Sequence, residues 1–218
     1  MAKYRRLEVL NNIMETGLVP IFYHSDLSVA RRIVAACTSG GARVIEFTNR
    51  GDGAWRLFDA LLEYRLNSQM DIMLGAGSIV DAATAALYVN IGADFIVGPM
   101  FNREIAELCN RRKVAYIPGC GTLTEISNAE AAGVELVKIF PGDVLGPGFV
   151  RAVHGPQPWT SMVVTGGVLP EEANIKEWFA AGAAAVGLGS KLIRHEWVSA
   201  GQYDKITATV SRILGWIR

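Results

Sequence analysis

Short apolar runs alternate with helix-length amphipathic segments along almost the whole chain, and this alternation restricts the fold more than any other feature. Runs of strand character cover 19–23, 44–48, 71–75, 95–97, 115–118, 136–140, 162–165 and 185–188. Helices are expected over 27–39, 54–67, 81–90, 102–112, 123–132, 148–153, 172–181 and 203–216. Strict alternation implies a parallel sheet, because parallel neighbours need a helical crossover. Four of the helical segments run into glycine just before the next strand: Gly40-Gly41-Ala42, Ile91-Gly92-Ala93, Ala132-Gly133-Val134 and Ala181-Gly182-Ala183. Glycine there supplies a left-handed C-cap. Eight such units predict an α/β fold, a single (β/α)8 TIM barrel over residues 1–218, rather than an open doubly wound sheet. No GxGxxG follows the first strand, which argues against a dinucleotide fold.

The composition narrows the function. The chain has 218 residues, half of them hydrophobic (50%), which suits one domain with a sizeable core. Its formal net charge is +0, and no block of like charge points to nucleic acid or an acidic membrane. Arg5-Arg6, Arg31-Arg32 and Arg111-Arg112 read as solvated helix faces. Cys37, Cys109 and Cys120 are odd in number and widely spaced, so they form neither a disulfide nor a metal framework and fit a reducing cytoplasm. Cys120 follows an expected strand and reads first as packing, with a role near a site as the alternative. His24, His154 and His195 do not cluster at ligand spacing, so no metal is expected. The first residues lack the continuous apolar core of a signal peptide. The charge-free stretch 152–170 is broken by proline and glycine and does not read as a membrane span.

In a barrel of this kind chemistry gathers at the C-terminal ends of the strands. Lys138 lies in an apolar run, Leu136-Val137-Lys138-Ile139-Phe140, where lysine is rarely buried without a partner or a task. Desolvation favours a neutral amine, a nucleophile towards carbonyls, so Schiff-base chemistry is one reading; a lysine snorkelling from a strand end is the other. Glu46 in Val44-Ile45-Glu46-Phe47-Thr48 has the same oddity. It reads as a general acid/base or as a structural carboxylate paired with a cation. Arg50 is placed to hold a carboxylate bidentately, or is an exposed loop arginine. Thr165-Gly166-Gly167 follows the seventh strand; Gly187-Leu188-Gly189-Ser190 follows the eighth and is expected to begin a short helix. Loops at those two ordinals are the usual phosphate site of the fold, where glycines let backbone N–H groups approach oxygen. Gly75-Ala76-Gly77-Ser78 reads as a tight turn, or places Ser78 to help hold a carboxylate.

Together these segments resemble the 2-keto-3-deoxy-6-phosphogluconate (KDPG) / 4-hydroxy-2-oxoglutarate aldolase family. Val137-Lys138-Ile139-Phe140-Pro141 resembles its Schiff-base segment, and Val44-Ile45-Glu46-Phe47-Thr48-Asn49-Arg50 its glutamate strand. Gly75-Ala76-Gly77-Ser78, Ile117-Pro118-Gly119, Thr165-Gly166-Gly167 and Gly187-Leu188-Gly189-Ser190 follow in the family's order, so the resemblance runs from about Val19 to Ile193. It implies a class I aldolase that cleaves 2-dehydro-3-deoxy-6-phosphogluconate to pyruvate and glyceraldehyde 3-phosphate, with 4-hydroxy-2-oxoglutarate as a further substrate. Lys138 would carry the Schiff base and Glu46 would shuttle protons. Arg50 and Ser78 would hold the carboxylate, Pro99 and Phe140 would wall the pocket, and Thr165 would contact a substrate hydroxyl. Gly166, Gly167, Gly189 and Ser190 would bind the phosphate. No cofactor is implied; the expected partners are the small-molecule 2-keto acid and two further copies of the chain. Ser78 stands where many members have Thr, Asn49 where an apolar residue is common, and Val164 where a proline is common. Two rivals remain: a non-covalent sugar-phosphate isomerase with Glu46 as base, and a catalytically silent sugar-phosphate-binding protein. The first leaves Lys138 unexplained. The second does not require Glu46, Arg50 and Lys138 all to be present.

Overall fold

The computed structural model describes residues 2–217. The expected domain runs to Met1 and Arg218, which lie outside the described residues. Helix α1 (Arg6–Thr16) comes first, followed by β1 (Leu18–Phe22), α2 (Leu27–Ser39), β2 (Val44–Thr48), α3 (Ala54–Asn67), β3 (Met73–Gly77), α4 (Ala82–Ile91), β4 (Phe95–Val97) and α5 (Arg103–Arg112). The second half holds β5 (Ala115–Ile117), β6 (Gly119–Cys120), α6 (Leu123–Ala131), β7 (Leu136–Ile139), α7 (Gly142–His154), β8 (Ser161–Thr165), α8 (Glu172–Ala180), β9 (Ala185–Leu188), α9 (His195–Ser199) and α10 (Tyr203–Ile217).

The strands lie in the order β5-β4-β3-β2-β1-β9-β8-β7-β6, and every pairing is parallel. The two ends of that order are adjacent in sequence. β5 and β6 are halves of one strand, broken at Pro118, that pairs first with β4 and then with β7. Proline cannot donate to a ladder, so the break falls there. The ring then closes as the expected (β/α)8 barrel: the Gly119 N–H donates to Gly98 O (2.9 Å) on one side, and the Lys138 N–H to Pro118 O (2.8 Å) on the other.

Alternate residues of each strand face inward. Val19, Ile21, Val44, Met73, Phe95, Val97, Ala115, Ile117, Leu136, Val163 and Ala185 form one apolar cluster, the barrel interior. Val9, Leu10 and Ile13 of α1 join it, so this helix plugs the N-terminal end. The other strand faces pack against the surrounding helices in a second, larger cluster that includes Phe47, Phe58, Tyr88 and Trp178. The glycines that end helices are left-handed as expected, with φ of 99° at Gly41, 110° at Gly92, 81° at Gly133 and 104° at Gly182.

Several boundaries differ from expectation for physical reasons. β3 begins two residues late and runs through Gly75-Ala76-Gly77, which reads in sequence as a turn. Those glycines are in the strand because nothing larger fits. A Cβ at Gly75 would lie 2.3 Å from the Phe95 ring, and one at Gly77 1.8 Å from the Glu46 carboxylate. α7 starts at Gly142 rather than residue 148, because two helical stretches join across a kink at Gly146 (φ 69°, ψ 170°) just before Pro147. No helix starts at Ser190. One turn folds over Gly189, whose carbonyl accepts from the N–H groups of Leu192 and Ile193 (both 2.9 Å), and α9 begins only at His195. Helix α1 was not expected; its signal is Val9, Leu10 and Ile13 at helical spacing, ended by Gly17 with φ 69°.

The N-terminal end is anchored by Asp94, which is fully buried. Its carboxylate accepts from the Arg65 guanidinium, from the N–H of Leu74 (2.9 Å) and from the N–H groups of Lys3 (2.9 Å) and Tyr4 (3.3 Å). Burial pushes the carboxyl upward, while Arg65 and the N–H donors pull it back. Removing one partner of a buried pair strands the other charge. Asp94→Ala should therefore cost about 3–5 kcal/mol, read as a lower urea midpoint at unchanged slope.

Candidate active site

Two of the inward positions carry charge. Glu46 projects from β2, the second strand of the ring, and Lys138 from β7, the sixth, so they sit on opposite sides of an eight-membered ring. Their exposures are 3% and 7%, which makes them the ionisable exceptions in an otherwise apolar interior. Both line an inner space of about 10 Å³ together with Thr165, Gly187 and apolar side chains. That is on the order of one water molecule. The Lys138 ammonium lies 5.0 Å from the centre of the Phe140 ring. Burial pushes the Glu46 carboxyl above its ordinary value; the positive charges of Lys138 and Arg50 act in the opposite direction and do not cancel it.

Above this lies a cleft of about 490 Å³ at the C-terminal ends of the strands. Arg50, Phe140, Thr165, Gly166, Gly167, Gly189 and Ser190 line it, joined by Thr48, Tyr23 and Lys191. Thr165 and Gly187 belong to both spaces and connect them. The cleft has two cationic side chains, Arg50 and Lys191, and no carboxylate in its lining. Gly166 and Gly167 have φ of 92° and 69°, in the left-handed region, so their backbone is turned in a way side chains disfavour. A Cβ at Gly167 would lie 2.8 Å from Asp143 Cα, and one at Gly187 2.6 Å from Thr165 Oγ1. Glycine at 187 therefore leaves room for the inward-facing hydroxyl of Thr165.

Of the residues singled out in sequence, Glu46, Lys138 and Thr165 meet in the interior; Arg50, Phe140, Thr165, Gly166, Gly167, Gly189 and Ser190 meet in the cleft. Ser78 and Pro99 line neither space. Ser78 follows Gly77, which abuts Glu46, and has φ of 59°, a conformation in which a β-branched residue costs more than serine. The Pro99 carbonyl packs on Gly119, the register partner of Lys138, 2.1 Å from where a Cβ would be. Sequence reasoning missed Thr48, Tyr23 and Lys191. Thr48 and Tyr23 stand near the ends of inward-facing strands beside Glu46 and Ile21, and Lys191 follows a noted motif. Cys120 is buried, its thiol pushed up to about 12 by desolvation, and makes only a weak contact with Pro118 O. A larger hollow of about 850 Å³ at the opposite end is lined by Arg5, Arg6, Arg112 and Lys113. It lies away from the strand ends that carry chemistry in this fold.

Among the described residues no three His, Cys, Asp or Glu side chains come together as a metal site, and no helix is long and apolar enough to cross a membrane. The chain is thus a (β/α)8 barrel with one lysine and one glutamate facing a common inner space. The family model for KDPG and KHG aldolases matches residues 9–209, and the chain belongs to that family. It is therefore an aldehyde-lyase, a carbon–carbon lyase. A 2-dehydro-3-deoxy-phosphogluconate aldolase of Treponema pallidum is 28% identical over 95% of this chain and 97% of its own. A 2-dehydro-3-deoxy-6-phosphogalactonate aldolase of Escherichia coli is 36% identical over 62% of this chain and 63% of its own. Among solved structures, the 4-hydroxy-2-oxoglutarate aldolase/2-deydro-3-deoxyphosphogluconate aldolase from TTHB1 superposes with a TM-score of 0.80 at 27% identity, covering 96% of this chain and 98% of its own.

The raised carboxyl of Glu46 has a consequence for stability. Where a folded-state value is raised, the folded state holds its proton longer than the unfolded chain, so stability is greatest below the unfolded value and falls as pH rises. The unfolded reference for Glu46 is 4.5. Glu46→Gln mimics the protonated form and fits the space above Gly77. Its melting temperature should match the wild type below pH 4.5 and exceed it increasingly as the wild-type carboxyl ionises. A gap that does not change with pH would show that ionised Glu46 carries no net cost.

Proposed function

We propose that this chain is a class I aldolase in which Lys138 forms a Schiff base with the keto carbon of a 2-keto acid. The observation that carries the reading is that Lys138 and Glu46, the two ionisable groups of the barrel interior, face one space that opens through Thr165 to an electropositive cleft. The neutral amine adds to C2 of the substrate, and loss of water gives an iminium. The C3–C4 bond then breaks with its electron pair moving into the iminium, which leaves an enamine. The C4 hydroxyl gives up its proton to the ionised Glu46 through a water, and the aldehyde departs. Glu46 returns that proton to C3 of the enamine, and hydrolysis of the iminium frees pyruvate and Lys138. A carboxyl raised towards working pH suits a group that must both take and give a proton.

In this reading Arg50 holds the substrate carboxylate and Phe140 bounds the pocket, while Ser78 and Pro99, which line neither space, back them from behind, Ser78 beside the contact of Gly77 with Glu46 and Pro99 against Gly119. The backbone of Gly166, Gly167 and Gly189 and the hydroxyl of Ser190 hold a distal phosphate. The substrate is 2-dehydro-3-deoxy-6-phosphogluconate, which yields glyceraldehyde 3-phosphate, with 4-hydroxy-2-oxoglutarate cleaved to glyoxylate as a second activity. The one barrel domain carries the whole reaction, in the cytoplasm, as a homotrimer. The identity to the E. coli galactonate-series enzyme supports a second reading, in which the preferred substrate has the opposite configuration at C4; comparing kcat/KM for the two epimers decides between them. Membership of a lyase family weighs against both the isomerase and the silent binding protein.

Borohydride reduction in the presence of pyruvate should leave a stable adduct on the peptide that contains Lys138. Lys138→Met fills similar volume without the amine and should abolish both trapping and cleavage. A variant with near-normal turnover would rule out the covalent step. Gly189→Val tests the distal end, because its Cβ would meet nothing nearer than Ile21 O at 3.7 Å and so intrudes on the cleft without straining the barrel. It should raise KM for the phosphorylated substrate about tenfold or more, the weight of one charge-assisted hydrogen bond, and leave the rate of pyruvate trapping unchanged.

A further inference from the structure

Arg50 belongs to a short loop between β2 and α3 and is exposed at its tip. Among the described residues its guanidinium makes no hydrogen bond and no ion pair. The place of this cation is therefore set by the backbone beneath it, and Gly51 (φ 116°) and Gly53 (φ 73°) make that backbone easy to deform.

Two contacts of the neighbouring Asn49 oppose this freedom. The Asn49 N–H donates to Gly77 O at 2.8 Å. The Asn49 side-chain oxygen accepts from the Tyr88 hydroxyl at 2.9 Å. Tyr88 is wholly buried on α4, packed edge-on against Phe58 with ring centres 5.2 Å apart. Its hydroxyl is pushed up to about 12 by burial, so it stays a donor, and a buried donor without an acceptor is costly. On the other side of the loop the Tyr23 hydroxyl packs on Gly51, 2.7 Å from where a Cβ would be. α4 is the helix that follows the loop of Ser78. One hydrogen bond thus joins the Arg50 loop to the element leaving the Ser78 loop, 39 positions away in sequence.

We propose that Asn49 and Tyr88 are positioning residues whose hydrogen bond holds the Arg50 loop in register with the Ser78 loop, and so fixes the substrate carboxylate relative to Lys138. The inference rests on the assignment of Arg50 made above. It accounts for a polar residue at 49, beside a loop that makes no other side-chain hydrogen bond among the described residues.

The test is the KM for the 2-keto acid and kcat in Tyr88→Phe, Asn49→Leu, the double variant and Arg50→Ala, with melting temperatures alongside. Tyr88→Phe and Asn49→Leu should each raise KM about five- to tenfold, with kcat at saturation within about twofold of wild type. The double variant replaces both partners by apolar groups and should recover most of the melting temperature but not the KM, which separates positioning from packing. Tyr88→Phe in an Arg50→Ala background should add nothing, because Tyr88 acts through Arg50. If Arg50→Ala raises KM but the Tyr88 and Asn49 variants change only the melting temperature, the positioning role is wrong while the site reading stands. If Arg50→Ala leaves KM unchanged, the carboxylate lies elsewhere, and this inference falls with that assignment.

Discussion

The hydrogen bond from the Lys138 N–H to Pro118 O, 2.8 Å long, is the contact on which the rest of the site depends. It is part of the seam that turns nine strand segments into a closed ring, and it also sets the register of β7. A parallel strand slipped by one residue turns each side chain to the opposite face. Lys138 would then point among the helices and Val137 into the interior. The seam works because of two neighbours. Pro118 has no N–H to leave unpaired at the break, and Gly119 has no side chain to keep the Pro99 carbonyl away. Closure, the register of the lysine and the placement of Pro99 are thus consequences of two consecutive residues of one strand, Pro118 and Gly119.

Putting a carboxylate and an ammonium into an apolar ring costs stability, and the rest of the interior limits how far that cost is relieved. Glu46 is held up by burial more than Lys138 and Arg50 pull it down. A close ion pair would relieve both groups and would also occupy the amine. The ring geometry keeps them on opposite strands, so each remains available to a molecule entering between them. Asp94 and Arg65 show the contrasting arrangement at the other end of the barrel, where the charges are in contact and the carboxylate is filled with N–H donors. The same fold therefore carries a buried pair in direct contact at its N-terminal end and a separated one beneath the cleft.

Much of this was legible in the sequence, and the failures share a cause. Alternation of strand and helix gave the barrel, and an ionisable residue inside an apolar run gave Glu46 and Lys138, because both signals are local. Gly75 and Gly77 misled because glycine marks a turn when it supplies φ and marks a close approach when it yields space; only the tertiary contacts with Phe95 and Glu46 tell which. Pro118 split a strand for a reason that appears only when the ring closes. α1 carries its signal only in Val9, Leu10 and Ile13, and it precedes β1, so its place at the end of the barrel is fixed by tertiary contacts rather than by the alternation of strand and helix. The link between Asn49 and Tyr88 could not be read at all, since nothing in either local sequence points to the other.

The cleft is built differently at its two ends, and this bears on how one lysine could serve several substrates. Towards Arg50 it is made of side chains at and just beyond the ends of β1 and β2, Tyr23, Thr48 and Arg50, with the Arg50 loop tied through Asn49 to Tyr88 and Gly77. Towards Ser190 it is made mostly of glycine backbone after β8 and β9, with Lys191 at the rim. In the proposed reading the first end meets the pyruvyl part, which every substrate shares, and the second meets the part that differs. Tightly referenced side chains suit the constant part, because a cation already held in place loses less freedom when the carboxylate binds. Backbone donors suit the variable part, since they hold an oxyanion without reading the rest of the molecule.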